Sequence, residues 1–462
     1  MRLRSLCQAG VAALMIVSGP LSAQAETLAD AFVLAYRHSG LLEKNRAVLR
    51  AADEDVASAI AQLRPIINYT VQAQQSFTAP NGFVPPTTDT TPTTASAAIT
   101  AELLLWDGGA SRLAIDVARE TVLATRHGLL QVEQQVLYNA VLAYLSVREA
   151  IAFVELRQSN VQLITEQLRA AQERFEVGEV TRTDVAIAEA QLASARSNLA
   201  AALGDLEIAQ SQYVQAVGQE PGNLTPIEAH PTIVNTLAAA QDIARKTHPT
   251  IRRDMRGVTI AELNVLRAEA LTRPQITGSG RLSIDDEFVE QGSVGIQLSG
   301  PIYRGGALSA AYRQAVARRD ESRADLHITV DDILQQVAEA WAQQEVAIAR
   351  IAANELQVRA ARVAFRGLQE EVSLGARTTL DVLDAEQDLQ DARAALISAQ
   401  IAEIRSAYSL LFTMGLLTAE YLDLGIPTYD PSLYYNAVKD APSGRVSPQG
   451  QKLDKVLRAI GR

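Results

Sequence analysis

Cysteine is almost missing from this chain: of 462 residues only Cys7 is one, and it lies in a short N-terminal segment that reads as removable, so disulfides and cysteine metal sites are excluded from the remainder. Aromatic residues make up only 5% while AVILMFWYC together reach 48%, a balance that points to long, closely packed helices instead of a bulky core. Basic residues are the minority, 42 Lys and Arg against 53 Asp and Glu for a net charge of −11, and so the basic face needed to hold phosphate is lacking and no nucleic-acid partner is expected. After the N-terminal segment no uninterrupted apolar run approaches the roughly 18 residues of a membrane-spanning helix. If the chain enters a membrane, it must do so as strands. The five histidines, His38, His127, His230, His248 and His327, have no ligand spacing, and no cofactor is expected.

What is present begins with an export signal over residues 1–25. Arg2 and Arg4 precede an apolar stretch from Leu6 to Val17, and Ser22-Ala23-Gln24-Ala25 supplies small residues for cleavage, so the mature chain is expected to begin near Glu26. Cys7 lies too early for a lipoprotein site.

An internal repeat organises the rest. Val177-Gly178-Glu179-Val180-Thr181-Arg182-Thr183-Asp184-Val185 returns as Leu374-Gly375-Ala376-Arg377-Thr378-Thr379-Leu380-Asp381-Val382. At the same offset Trp106-Asp107-Gly108-Gly109 maps onto Tyr303-Arg304-Gly305-Gly306, and Gly218 onto Gly415. The stretch from Leu28 to Pro65 parallels Leu237 to Pro274 at a larger offset, so the first copy carries the longer loop between Pro65 and Trp106.

Each copy holds two segments that alternate apolar and polar, the period of a strand wet on one face. Ile67, Tyr69, Val71 and Ala73 oppose Asn68, Thr70, Gln72 and Gln74, and Ala97, Ile99, Ala101 and Leu103 oppose Ser96, Ala98, Thr100 and Glu102. In the second copy Ile276, Leu282 and Ile284 oppose Thr277, Ser279, Arg281 and Ser283, and Val294, Ile296 and Leu298 oppose Ser293, Gln297 and Ser299. The connections, Thr78–Thr93 and Asp285–Gly292, are polar enough for exposed loops. After each [WY]-x-Gly-Gly turn the period becomes helical, and no proline occurs from Asp107 to Val177, a stretch about 105 Å long as a helix. Past Gly178 a second helix runs back towards Gly218. The expected plan is a first repeat over 26–220 (strands about 66–77 and 94–105, helical tip about 178–184) and a second over 221–420 (strands about 275–284 and 293–300, tip about 375–384). A loosely ordered tail is expected over 421–462, where Pro427, Pro431, Pro442 and Pro448 interrupt any period.

Four lipid-facing strands leave two unpaired edges, which a bilayer does not tolerate, and are too few to close on themselves. Several chains must share one barrel. Eight strands from a dimer would be filled by side chains, whereas twelve from a trimer leave an aqueous lumen that the helices extend.

The [WY]-x-Gly-Gly turns, the two Gly-x5-Asp-Val tips and the duplicated layout resemble the TolC family of outer-membrane efflux proteins over about 26–420. The resemblance implies a mainly α chain that forms a homotrimer, with a twelve-stranded barrel in outer-membrane lipid continued by a twelve-helix α-barrel across the periplasm. It also implies a passive exit duct for small-molecule efflux or type I protein secretion in a Gram-negative cell, without enzymatic activity. Its partners would be a periplasmic adaptor (membrane fusion protein), docking at the tip around Gly178 and Gly375, and an inner-membrane pump of RND, ABC or MFS type.

At the tips, Thr181-x-x-Asp184 and Thr378-x-x-Asp381 fit capping boxes, and Gly178 and Gly375 fit the residue that ends the preceding helix. Capping alone accounts for both aspartates. Asp384 differs, because its counterpart is Ile187 and capping does not require an acid there. Asp381 and Asp384, at i and i+3, share one helix face and would form two stacked acidic rings in a trimer, a constriction that selects and binds cations. The resemblance implies the same pore-lining role. It implies further that Arg377 holds the tip closed by bonding Thr183 and Asp184 of a neighbouring helical hairpin, whereas a solvated arginine is the plainer alternative. Well-known members carry a tyrosine where this chain has Val372, which implies one closing bond fewer. Gly108, Gly109, Gly305 and Gly306 suit strand-to-helix junctions, where Trp106 and Tyr303 are placed to anchor at the membrane interface.

Two other functions remain open on the sequence. Asp381 and Asp384 could serve as an acid–base pair, or Asp384, Glu386 and Asp388 as metal ligands, although no nucleophile or histidine pair accompanies them. Alternatively the chain is a periplasmic coiled-coil structural or adaptor protein with no membrane barrel.

Overall fold

The structure is a computed structural model that describes residues 26–75, 93–227, 234–374, 376–444 and 447–460. The expected signal segment, most of the 78–93 loop and Gly375 lie outside the described residues. One order of elements runs twice along the chain. It is α1 (Leu28–His38), α2 (Gly40–Ala61), β1 (Ile66–Gln75), β2 (Thr93–Trp106), α3 (Ala110–Glu176) and α4 (Arg182–Val217), then α5 (Leu237–Thr247), α6 (Pro249–Ala270), β3 (Gln275–Asp285), β4 (Glu290–Ser299), α7 (Ala307–Ser373) and α8 (Thr379–Thr413). The chain is mainly helical, and α3 and α7 are both 67 residues long, about 100 Å each. By length and composition α3 contains a stretch apolar enough to cross a membrane, but half of that stretch is buried against other parts of the chain.

The strands form one antiparallel sheet in the order β1-β2-β3-β4. Its register places side chains of like character together. Tyr69, Ile99, Leu282 and Gly292 lie in one cross-strand row, and Ile67, Ala101, Gly280 and Val294 in another on the same face. The opposite face carries the row Asn68, Thr100, Arg281 and Ser293. Period-two alternation makes this separation unavoidable once the register is set. Within one chain Ile67, Tyr69, Val71, Val294 and Ile296 are all at least 70% exposed, and β1 and β4 are open edges. The β3–β4 connection is tighter than the sequence indicated, because Asp285 accepts hydrogen bonds from the backbone N–H groups of Glu287 (3.1 Å) and Val289 (2.7 Å) and closes the turn, so that β4 starts at Glu290.

Every strand joins a helix at the same end of the sheet. Gly108, Gly109, Gly305 and Gly306 all have positive φ, and the second glycine of each pair occupies the N-cap of α3 or α7. Helices α3 and α4 pack side by side along their length, as do α7 and α8. The main core lies where α1, α5 and the middles of the long helices converge, around Phe32, Leu137, Tyr144, Tyr213, Val337, Leu411 and Met414. Tyr138 stacks on Phe412 there, with ring centroids 4.9 Å apart. Glu26 threads into this region, its carboxylate accepting from Tyr213 Oη (2.5 Å) and the Gly222 N–H (2.9 Å) while its own N–H donates to the Asn223 carbonyl (2.9 Å).

The tail expected to be loosely ordered carries two helices, α9 (Pro431–Val438) and α10 (Pro448–Ile460). Two of the four prolines that interrupt the period, Pro431 and Pro448, are the first residues of these helices, where their missing N–H costs nothing, and Asp430 caps α9. Arg46 lies over the rings of Tyr36 (5.3 Å) and Tyr429 (5.4 Å), Arg126 lies over Tyr435 (5.4 Å), and the Tyr434 hydroxyl donates to Glu54 (2.8 Å), holding the tail on α2 and α3.

Candidate functional site

The two helical tips are built alike, and at the end of the chain farthest along the long helices from the sheet. At the first, Gly178 takes φ +79° after Val177, and the Glu179 N–H bonds back to the Arg174 carbonyl (2.9 Å), a six-to-one closure that satisfies a carbonyl of the last turn of α3. At the second, the Ala376 N–H bonds the Glu371 carbonyl (2.9 Å) in the same pattern. Each following helix begins with a complete capping box. Thr181 N and Oγ1 both donate to Asp184 Oδ2 (2.8 Å each), and the Asp184 N–H returns to Thr181 Oγ1 (3.3 Å). Thr378 N (2.9 Å) and Oγ1 (2.8 Å) donate to Asp381 Oδ2, and the Asp381 N–H returns to Thr378 Oγ1 (3.3 Å).

Both aspartates therefore hold helix starts. The backbone N–H of Thr181, then its hydroxyl, keep the Asp184 carboxyl below the usual carboxylate range, and Thr378 does the same for Asp381. Asp384 follows one turn later on α8, exposed, while its counterpart Ile187 on α4 is half-buried. Arg377 turns back along its own hairpin, its Nε 3.2 Å from Glu371 Oε2, and among the described contacts of one chain it does not meet Thr183 or Asp184. An exposed pair of this kind contributes about 0–1 kcal/mol. Val372 packs at the edge of an apolar cluster of Val358, Phe365, Val382, Ala385 and Leu389 that ties α7 to α8 below the tip.

Glu386 is the residue at this site that sequence reasoning missed in its structural role. It is 1% exposed, neither of its carboxylate oxygens has a hydrogen-bond partner among the described residues, and burial pushes its pKa up to about 7 against a smaller opposing pull from Arg393. Gln390, one turn on, is equally buried with its carbonyl oxygen unpartnered. A signal was available in the sequence, since Glu386 falls between Val382 and Leu389 on the apolar stripe of α8.

The family model for outer membrane efflux proteins matches residues 33–219 and 237–416, each segment spanning one run of six elements. The chain belongs to the outer membrane efflux protein family. Outer membrane efflux protein BepC of Brucella suis biovar 1 is 36% identical over 456 residues, covering 96% of this chain and 98% of that protein. Alkaline protease secretion protein AprF of Pseudomonas aeruginosa is 30% identical over 63% of this chain and 63% of its own length. Among solved structures, CusC superposes with a TM-score of 0.76 at 18% identity over 84% of this chain and 91% of that one. The open state of the Neisseria gonorrhoeae MtrE outer membrane channel gives 0.70 at 19% identity over 85% and 90%. As a member of the outer membrane efflux family, the chain serves as an exit duct for efflux or type I secretion in the Gram-negative outer membrane, reaching into the periplasm. The names of these relatives are those of efflux and secretion proteins, not of enzymes.

Proposed function

We propose that three copies of this chain join their open β1 and β4 edges into a twelve-stranded barrel around one lumen, continued across the periplasm by the long helices. The observation that carries this is the sheet itself. Four strands with two free edges and one contiguous apolar face form an incomplete cylinder wall, and lipid tolerates such a wall only when its edges are paired. A periplasmic coiled coil with no barrel would leave that face in water.

Around the threefold axis Asp381 and Asp384 form two acidic rings at the narrow end. Their roles divide. The cap keeps Asp381 charged, whereas Asp384 carries no helix-start bond, and its ring is the freer to bind a passing cation. Like charges at such a constriction repel by roughly 0.5–1 kcal/mol per pair in water and by more where water is scarce. Arg377 exchanges Glu371 for Thr183 and Asp184 of a neighbouring hairpin when the tip closes. A periplasmic adaptor, docking around the Gly178 and Gly375 turns and coupled to an inner-membrane pump of RND, ABC or MFS type, releases that bond, and the duct opens. The protein itself is passive and needs no cofactor.

Conductance in planar bilayers tests the proposal. The purified protein should give a cation-preferring conductance that millimolar divalent or trivalent cations block, and Asp381→Ala/Asp384→Ala should conduct without the block. Unchanged blockade in the double variant removes the rings, and a preparation that neither conducts nor cross-links as a trimer removes the duct.

A further inference from the structure

We infer that the C-terminal helix α10 is an interfacial anchor that lies on the anionic phospholipid of the membrane leaflet facing the periplasm, beside the point where β1 enters the bilayer; this rests on the barrel reading above. Three observations place it there. Arg64 lies just before β1, which starts at Ile66, and its guanidinium donates to the carbonyls of Ala441 (2.8 Å) and Asp440, so the end of α9 is tied to the helix-side mouth of the sheet. The first turn of α10 is tied in turn to α9, with Gln449 Nε2 donating to the Ala437 carbonyl at 2.6 Å. Ser447 Oγ accepts the Gly450 N–H (3.1 Å) and fixes the start of α10. From Gln451 onward the polar face of α10 is exposed, and so is the apolar Val456, at 53%.

The sequence of α10 supplies the chemistry. In the sequence Leu453, Val456, Leu457 and Ile460 recur at i, i+3, i+4 and i+7, the spacing of one apolar stripe. Lys452, Lys455 and Arg458 fall away from that stripe, with Asp454 the single acid after Pro448, in a chain whose net charge is −11. A reversed local charge on the polar face of an amphipathic helix is what binding to an anionic lipid surface requires. Thirteen residues make a helix about 20 Å long, too short for the roughly 30 Å apolar core of a bilayer, so it lies along the surface and not across it. Trp106, half exposed at the same end of the sheet, fits the same depth.

Cys7 is the single cysteine of the chain, so with Cys7→Ser single-site labels can be placed on the full-length protein. Val456→Cys, Lys455→Cys and, on β4, Val294→Cys are each labelled with an environment-sensitive fluorophore and reconstituted into vesicles containing phosphatidylglycerol and brominated phospholipid. The label at 456 should be blue-shifted and quenched by brominated lipid, the label at 455 should be quenched by aqueous iodide instead, and the quenching at 456 should be lost in Lys452→Glu/Lys455→Glu/Arg458→Glu or in pure phosphatidylcholine. Quenching at 294 without any at 456 overturns the anchor while leaving the barrel intact. No lipid quenching at 294 overturns the barrel and the anchor with it. Quenching at 456 that is indifferent to the charge reversal and to lipid charge overturns the electrostatic part of the proposal.

Discussion

Glu386 offers the most quantitative test of the tip. Its carboxyl is buried without a hydrogen-bond partner among the described residues, and its pKa rises from an ordinary 4.5 to about 7. For an acid with a raised folded pKa, ionisation opposes folding, so the tip is most stable below about pH 4.5, loses stability as pH climbs from there to about 7, and levels off above it. The loss relative to a neutral side chain is about 1 kcal/mol at pH 5 and about 3 kcal/mol at pH 8, taking about 1.36 kcal/mol for each factor of ten in the protonation equilibrium. Glu386→Gln is neutral at every pH, and so its advantage over the parent should grow by about 2 kcal/mol between those two pH values. Hydrogen exchange of the α8 amides near Thr379–Leu389, followed in both proteins at both pH values, reads this locally without requiring the whole protein to unfold reversibly. A constant difference from packing alone would shift both pH values equally and so separates out. If the advantage does not change with pH, Glu386 has an ionic partner in the assembled protein, and its isolation within one chain does not describe the functional state.

Three further outcomes are expected. Arg377→Glu should raise single-channel conductance by loosening the closed tip, and an unchanged conductance would assign Arg377 to solvent and Glu371 alone. Thr378→Ala removes a complete capping box and should cost about 1 kcal/mol, with faster hydrogen exchange confined to the first turns of α8; a loss spread evenly through the helix would count against the capping geometry. Two glycines with positive φ should respond differently to alanine. At Gly178 (φ +79°) nothing lies near the added Cβ and about 1 kcal/mol of backbone strain is expected, whereas at Gly218 (φ +94°) the Cβ would collide with the His38 ring and the midpoint of thermal unfolding should drop much further. Equal effects would mean that the α1–α2 corner shifts freely away from α4.

The amino-acid sequence by itself determined whatever depends on local periodicity. Alternation at Ile67, Tyr69 and Val71 decided which face of β1 is apolar, because a pleated strand has no other way to arrange those side chains. The Thr-x-x-Asp spacing at 181 and 378 decided where α4 and α8 begin, since a capping box closes within four residues. The recurrence of Gly-x5-Asp-Val announced two like halves, and those halves share one order of elements. Tertiary structure alone decided the rest, and in each case the deciding groups lie far apart in sequence or were read as breakers. The tail is held by Arg46, Arg64 and Arg126 from α2, the β1 approach and α3, contacts that no local pattern encodes. Asp285 shortened a hairpin through bonds to its own turn, where composition showed only a polar loop. Arg377 found Glu371 on its own hairpin, and Glu386 came to be buried, without a hydrogen-bond partner among the described residues, on a helix packed along α7. Charge and spacing fix which residues can meet, but burial depends on what the opposing helix places there, and that is written in a segment of the chain read independently of the first.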